Sequence, residues 1–272
     1  MKEGPTDRVR YRPLQFFIID FALTWGPLWI AVAGIRNGWL QFNFLFMGIA
    51  GASALPVALF MIYTSGSRKL VRDFWRRVLD PRLINGFWWA VIVLSVPAIM
   101  GTAILIRLSF GGSLEELRLE EQFLAGPLFF ILLHLLYGPL PEELGWRGYG
   151  IDALRSRMSG FWTSIVFGII WPLWHLPLFF IPGSYQAQLL SQPLPLIMYV
   201  VSMIPQAVLM NCVYFHTNRS VISAVALHFM INFIGEAFHW SQETKVVESL
   251  LFFVVAVVIL VVDRKTFFTK ST

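Results

Sequence analysis

The stretch Leu140-Pro-Glu-Glu-Leu-Gly-Trp-Arg-Gly-Tyr-Gly150 follows a long apolar run, residues 123–137. It places three ionisable side chains, Glu142, Glu143 and Arg147, within six residues. A charged side chain deep in a bilayer costs about 2.5–3.5 kcal/mol on insertion scales, so such groups usually face a protein interior or a water-filled cavity. The alternative is that they lie at the membrane edge, in contact with lipid headgroups. The rest of the chain decides between these two interpretations.

The composition indicates a membrane protein. Hydrophobic residues make up 57% of the 272 residues and charged residues only 14%, whereas a soluble domain usually carries about 25% charged residues. We predict a single transmembrane domain, residues 1–272, with its functional core at about 123–240. The net charge of +5 comes from basic residues that flank apolar runs, so it indicates orientation in the bilayer and no nucleic-acid partner. The single cysteine, Cys212, excludes an internal disulfide.

The apolar runs predict an all-α, polytopic helix bundle. A span needs about 20 mostly apolar residues, and the chain contains about eight such stretches. Pro139 and Pro141 interrupt the fourth stretch, so we expect its helix to be kinked or restarted just before the two glutamates. The predicted spans are 14–35, 42–63, 83–106, 123–150, 161–182, 194–215, 220–240 and 246–262.

The charges of the connecting segments predict the orientation. With the N-terminus inside, 17 of the 21 Lys and Arg residues fall in inside segments. Basic residues concentrate on the cytoplasmic side of membrane proteins, so we predict that both termini are cytoplasmic. The four basic residues of the outside segments are Arg36, Arg107, Arg118 and Lys245.

Two further polar clusters lie on other predicted helices. One is His175, in Trp171-Pro-Leu-Trp-His175, and the other is His228 with Asn232. Residues four apart share a helix face, so His228 and Asn232 point the same way, and Glu143 and Arg147 form a predicted ion pair that leaves Glu142 free. Counted from the inside loops at about 1.5 Å per residue, Glu142, His175 and His228 lie roughly 20, 22 and 14 Å deep. The clusters can therefore meet at one level inside the bilayer.

Several other polar residues have simpler explanations. A lone buried histidine is more often a helix–helix contact than a catalyst, and we interpret His134, His216 and His239 in that way or as interfacial. Asp20, in the first predicted span, has no evident partner in the sequence. The chain has no His-Glu-x-x-His zinc helix and no Gly-x-Ser-x-Gly nucleophile motif.

The three clusters together resemble a known family. Glu-Glu-x-x-x-Arg, a following helix that ends in His175, and His-x-x-x-Asn are similar to the three motifs of the CAAX protease and bacteriocin-processing family, also called the CPBP or Abi family. Its members are eight-helix intramembrane endopeptidases and include the Ras-converting prenyl-protein endopeptidases. The family's second motif usually reads Phe-x-x-x-His, and here Trp171 takes the place of the phenylalanine.

The resemblance implies a catalytic role for each motif residue. Glu142, with His175, would hold and deprotonate a water molecule, and His228 and Asn232 would donate hydrogen bonds to the oxyanion. Glu143 and Arg147 would fix the helix that presents Glu142. A competing version makes Glu142, His175 and His228 ligands of a zinc ion whose bound water attacks. The shared face of His228 and Asn232 favours the version without a metal.

We therefore expect a multi-pass integral membrane protein, located in the cell membrane if the source is prokaryotic. Its expected activity is cleavage near the membrane-embedded or lipidated end of a peptide or prenylated protein substrate, from a cavity open to the cytoplasm. The alternative is a membrane carrier or channel that uses buried Glu and His to relay protons or ions, which predicts polar residues along a path to both faces. A purely structural membrane partner would leave the three clusters unexplained.

Overall fold

A computed structural model describes residues 10–40 and 44–269 of the chain. The regular structure of this part is helical, apart from one isolated bridge between Leu119 and Phe238. The helices are α1 (Pro13–Arg36), α2 (Phe44–Gly51), α3 (Ala54–Tyr63), α4 (Arg68–Leu79), α5 (Gly86–Ser109), α6 (Glu121–Ala125), α7 (Pro127–Leu136), α8 (Pro139–Gly145), α9 (Ile151–Arg155), α10 (Gly160–Trp174), α11 (Tyr185–Leu189), α12 (Pro193–His216), α13 (Val221–Glu236), α14 (Gln242–Val262) and α15 (Arg264–Phe268).

The predicted polytopic helix bundle is confirmed. Within the described residues, six helical segments are long and apolar enough to cross a membrane: α1, α2 with α3, α5, α10 with the following turn, α12 and α14. The predicted span 220–240 corresponds to the shorter apolar helix α13. Residues 42 and 43 of the second predicted span lie outside the described residues. The chain is therefore a multi-pass integral membrane protein.

The predicted span 123–150 is a broken helix. Its pieces are α6, α7, α8 and one turn of π-helix, Trp146–Gly150, which leads into α9. Pro139 occupies the first position of α8, where a missing backbone N–H costs nothing because that group has no partner within the helix. The helix therefore restarts just before Glu142 and Glu143, as the prolines predict. Single turns of π-helix occur frequently at functional sites.

Gly145 lets α8 approach α3 closely. A Cβ atom built on Gly145 would lie 2.3 Å from the Cβ atom of Ala54 and 2.5 Å from its carbonyl oxygen. Any larger residue would therefore push the two helices apart. The small residues at this crossing fix the position of the helix that carries both glutamates, in the way that small residues let membrane helices pack backbone to backbone.

A buried arginine holds the π-helical turn from the other side. Arg77 on α4 is fully buried, and its two terminal nitrogens donate to the carbonyl oxygens of Arg147 and Gly148, each at 2.8 Å. Tyr214 donates a third bond, from its hydroxyl to the carbonyl oxygen of Arg147 at 2.8 Å. Asp152 lies 3.3 Å from Arg77 and balances its charge. These contacts satisfy carbonyl groups of the turn that would otherwise be buried without a partner.

Candidate active site

A cavity of about 470 Å³ lies inside the bundle. Among the residues that line it are four of the six predicted site residues, Glu142, His175, His228 and Asn232. They come from α8, from the end of α10 and from α13, so the fold brings together clusters that are far apart in the sequence. Glu143 and Arg147 do not line the cavity, and both are fully buried.

Glu143 lies between Arg147 and His228. Its Oε1 atom accepts a hydrogen bond from Nη1 of Arg147 at 2.8 Å, which is the ion pair that the spacing predicts. The same oxygen lies 2.9 Å from Nδ1 of His228. Because a carboxylate paired with arginine accepts and does not donate, Nδ1 of His228 carries the proton in this contact. The bond fixes the ring and turns its Nε2 atom toward Glu142.

Arg147 is itself held by residues of two other helices. Its guanidinium group lies over the ring of Phe167, 4.7 Å from the centroid. Its Nη2 atom also donates to the side-chain oxygen of Asn211 at 3.4 Å, and Asn211 donates to the hydroxyl of Ser164 at 2.9 Å. The buried ion pair therefore ties α8 to α10 and α12 and specifies a single geometry.

Glu142 lines the cavity and has one buried carboxylate oxygen without a hydrogen-bond partner in the described part of the chain. The residue is only 5% exposed, and its Oε2 atom has no hydrogen-bond partner among the described residues. This atom lies 4.0 Å from Nε2 of His228. A Cβ atom built on Gly138 would lie 3.5 Å from both Oε1 of Glu142 and Nδ2 of Asn232, so both side chains reach the backbone at Gly138. A buried acceptor without a partner is unfavourable for folding. Among the glutamates of the three motifs, Glu142 is the one that lines the cavity, where its carboxylate can contact a water molecule or a substrate.

His175 caps the end of α10. Its Nδ1 atom lies 3.0 Å from the carbonyl oxygen of Trp171, and since a carbonyl group only accepts, Nδ1 carries the proton. The Nε2 atom of a neutral His175 is then an acceptor that can contact a ligand in the cavity. The sequence alone does not give this tautomer, which depends on the local cap geometry.

Three tryptophans form a wall behind the two histidines. Trp146 packs edge-to-face on Trp171 and Trp174, with ring centroids 5.8 and 5.2 Å away. Trp171 in turn contacts the ring of His228 at 5.1 Å, and Trp174 contacts the ring of His175 at 4.8 Å. Edge-to-face aromatic pairs at these distances are favourable and restrict ring orientation.

Asp20 anchors this wall. The sequence offers no evident partner for Asp20, but in the structure the fully buried carboxylate accepts hydrogen bonds from Ser53 at 2.7 Å and from the indole N–H of Trp146 at 3.1 Å. Thr24 completes the group with a 2.6 Å contact to the hydroxyl of Ser53. Helices α1 and α3, which lie outside the three motifs, thus support the site indirectly.

The cavity extends toward only one end of the bundle. Besides the site residues, its lining includes Ser184, Tyr185, Glu236 and Lys245. The loop charges predict that these segments lie on the outer side, opposite the arginine-rich helix α4. The two expectations of cytoplasmic termini and a cavity open to the cytoplasm are therefore incompatible in this fold. The start of α1 and helix α15 pack near α9, at the end of the bundle away from these segments.

Two comparisons with known proteins bear on this arrangement. The family model described as type II CAAX prenyl endopeptidase Rce1-like matches residues 124–234. CAAX prenyl protease 2 of Methanococcus maripaludis is 34% identical over 270 residues, which cover 96% of this chain and 97% of the relative. The chain belongs to the CAAX prenyl protease family. The segment that the family model matches contains all six predicted site residues.

The positions of Glu142, His175 and His228 in this structure do not fit a bound zinc ion. Zinc bonds of about 2.0–2.3 Å place ligand atoms roughly 3.3–3.8 Å apart. Among the described residues, one group of three or more His, Cys, Asp and Glu residues has all its ligand atoms within 4.8 Å of one another. It consists of Cys212, His216 and Asp263. Those three do not line the cavity, and Nδ1 of His216 already lies 2.9 Å from the carbonyl oxygen of Cys212.

Proposed function

We propose that this membrane protein is an intramembrane endopeptidase that hydrolyses a peptide bond next to the lipidated end of a CAAX-type substrate. The observation that carries the proposal is the carboxylate of Glu142, which lines the cavity inside the bundle with its Oε2 atom 4.0 Å from Nε2 of His228. Membership of a protease family supports it, because the family model is described as a prenyl endopeptidase and a relative that is 34% identical is named a CAAX prenyl protease. The substrate partner is a prenylated protein or peptide presented from the bilayer.

Glu142 acts as the general base. A glutamate in a poorly solvated cavity gains basicity, since little water stabilises its charge. Glu142 and the Nε2 atom of His175 are both acceptors, so together they can take the two hydrogens of one water molecule. The water oxygen attacks the scissile carbonyl carbon while Glu142 takes a proton. Glu142 then donates that proton to the leaving amine as the C–N bond breaks.

His228 and Asn232 stabilise the oxyanion. This role requires a proton on both ring nitrogens of His228, because Nδ1 donates to Glu143 and Nε2 must donate to the oxyanion. The Nε2–H group of His228 and the Nδ2–H₂ group of Asn232 are then two donors on one face of α13. Loss of one oxyanion donor typically costs about 10²–10³ in rate, so this pair is worth a few kcal/mol. Glu143 and Arg147 are positioning residues for His228 and for α8.

The carrier or channel alternative is not favoured. It predicts polar groups along a path to both faces of the membrane. In the described residues the cavity lining does not include the inner network of Arg77, Arg147 and Asp152, which fills the opposite end of the bundle. The polar residues that line the cavity therefore lead to one face only.

The decisive experiment measures cleavage of quenched farnesylated and unprenylated tail peptides by the purified protein. We expect Glu142→Gln to lower kcat by at least about 10²-fold, as for loss of a general base. The matched control is Glu236→Gln, another cavity glutamate, which we expect to remain active. Each protein is assayed with and without a strong chelator, and folding is checked by monodisperse elution.

The outcomes separate the mechanisms. Cleavage that is lost in Glu142→Gln and unaffected by the chelator supports a glutamate-activated water. Loss of wild-type cleavage with the chelator, restored by added zinc, would favour the zinc mechanism. Equal cleavage by wild type and Glu142→Gln would refute the role of Glu142.

A further inference from the structure

The cavity contains a second polar group that the proposed mechanism does not use. Lys245 is the only lysine or arginine among the described residues that line the cavity. It lies in the first turn of α14, which begins six residues after α13 ends at Glu236. Glu236 also lines the cavity, two helical turns beyond His228. Lys245 is therefore placed at the open end, away from the catalytic group.

The ammonium group of Lys245 has no direct counter-ion among the described residues. No carboxylate oxygen in that part of the chain lies within 4.0 Å of it, although Glu236 and Glu248 also line the cavity. Glu236 is paired with His134 at 3.0 Å. A partly buried ammonium group with three unused donors is unfavourable unless a ligand supplies acceptor oxygens.

An aromatic ring positions Lys245. Its Nζ atom lies 4.4 Å from the ring centroid of Tyr185, a cation–π contact. The hydroxyl of Tyr185 donates to the side-chain oxygen of Gln242 at 3.2 Å, which fixes the ring. Burial raises the pKa of Tyr185 to about 12, so the ring remains a neutral phenol. The contact orients the lysine but leaves its hydrogen-bond donors free.

We propose that Lys245 binds the free C-terminal carboxylate of the peptide substrate. This inference rests on the proposed function, because it needs a substrate whose cleavage point is close to its C-terminus. The cavity holds the proposed catalytic residues at one end and this single cation at its open end. A substrate whose cleaved segment ends in a carboxylate would place its negative charge beside the cation. Charge-assisted hydrogen bonds to carboxylates are among the stronger polar contacts in proteins.

The rise along α13 between the catalytic level and the open end agrees with this assignment. In a CAAX tail the lipidated cysteine is the fourth residue from the end, so a cut beside it releases three residues. Three extended residues span about 10 Å. The eight helical steps from His228 to Glu236, which lines the cavity at the same end as Lys245, rise about 12 Å. Lys245 would therefore select substrates by the number of residues that follow the cleaved bond.

The simpler alternative is that Lys245 only balances Glu248, three residues further along α14. In that case a substitution of Lys245 would change the stability of the protein and would weaken binding of all substrates equally. A carboxylate anchor would instead change only the affinity for peptides that end in a free carboxylate. The two explanations are distinguished by chemically blocking the end of the peptide.

The test measures binding to the full-length chain in lipid nanodiscs, with Glu142→Gln present to prevent turnover. The probe is a fluorescent farnesylated peptide with three residues after the cysteine, prepared as the free acid and as the C-terminal amide. We expect the acid to bind about 10- to 100-fold more tightly, the range for a hydrogen bond to a charged group. We expect this ratio to fall to near one in Lys245→Met and to be largely kept in Lys245→Arg and Glu248→Gln.

Each outcome bears on a different claim. Equal affinity for acid and amide with Lys245 present would overturn the anchor, even if the wild-type protein cleaves the peptide. A preference for the acid without cleavage by wild type would keep the anchor and refute the protease, and no binding of either probe would refute both. Acid peptides with two or four residues after the cysteine should bind at least about tenfold more weakly, and equal binding would refute selection by length.

Discussion

The two ends of the bundle treat buried charge in opposite ways. At the arginine-rich end, Arg77 contacts Asp73, Asp152 and two backbone carbonyls, and Arg219 pairs with Asp73 as well. At the cavity end, among the described residues, Oε2 of Glu142 has no hydrogen-bond partner and the ammonium group of Lys245 contacts an aromatic ring and no carboxylate within 4.0 Å. The first arrangement stabilises one geometry of the helices. The second leaves charged groups free for a water molecule and a substrate.

The largest expected effect concerns the orientation of the bundle in the membrane. Its measurement, labelling of an introduced cysteine, is all-or-none. The loop charges predict that the cavity end is outside. In a Cys212→Ser background, we expect a cysteine introduced by Ser191→Cys, in the exposed loop before α12, to react with a membrane-impermeant maleimide in intact cells. A cysteine introduced by Lys69→Cys on α4 should react only after permeabilisation. The reverse pattern would place the open end in the cytoplasm and refute the charge-based orientation.

Removal of Arg77 should have the largest effect on stability. Arg77→Met removes the side-chain donor to the carbonyl oxygen of Gly148 and the nearer of the two arginines beside Asp152. The hydroxyl of Tyr214 still lies within hydrogen-bonding distance of Asp152 and of the carbonyl oxygen of Arg147. Breaking a buried pair in this way typically costs about 3–5 kcal/mol. We expect a large decrease of the melting temperature in detergent. The control is Arg76→Met, because the side chain of Arg76 is 56% exposed and lies 3.8 Å from Asp73, so its loss should be nearly neutral. Equal effects of the two substitutions would refute the proposed importance of the buried network.

Glu143→Gln tests the link between the two ends. The amide keeps the shape of the side chain but loses the charge that holds both Arg147 and His228. We expect kcat for peptide cleavage to fall by about 10²-fold while KM changes little, because His228 acts in the transition state. Asn211→Ala, which removes contacts of Arg147 and Ser164 but leaves the bond between Glu143 and His228, should retain most of the activity. A Glu143→Gln variant that raises KM without lowering kcat would contradict the role given to His228.

The sequence predicts the helical bundle and the residues of the site but not how those residues contact one another. Helical spacing correctly predicts the Glu143–Arg147 pair and the shared face of His228 and Asn232, because both are properties of one helix. Glu143 and His228 are 85 residues apart in the sequence and lie on different helices. Their contact therefore depends on packing that no local pattern encodes. The same holds for Asp20, whose partners lie on α3 and in the π-helical turn.

Asp20→Asn should have a smaller effect than Arg77→Met or Glu143→Gln. The amide retains one acceptor, so it can keep its bond to Ser53 or to Trp146 but not both. Leaving one buried group unpaired typically costs about 1–3 kcal/mol. We expect a moderately lower melting temperature and a few-fold lower kcat, measured on the same peptide. Ser53→Ala, which preserves the bond from Trp146 to Asp20, should change the melting temperature without changing kcat. If both variants lower kcat equally, the indole wall is not what connects Asp20 to the site.

The smallest expected effect is that of Trp171→Phe, which introduces the residue that the family usually has at this position. The indole nitrogen of Trp171 has no hydrogen-bond partner among the described residues, so its loss removes an unsatisfied group while some packing against His228 is lost. These two effects oppose each other, and we expect the stability to change by less than about 1 kcal/mol and kcat/KM by less than about threefold. Trp146→Phe is the matched comparison, because it removes the hydrogen bond to Asp20 and should be clearly more harmful. If Trp171→Phe proves worse than Trp146→Phe, then direct shape complementarity to His228 matters more than the hydrogen-bonded anchor behind it.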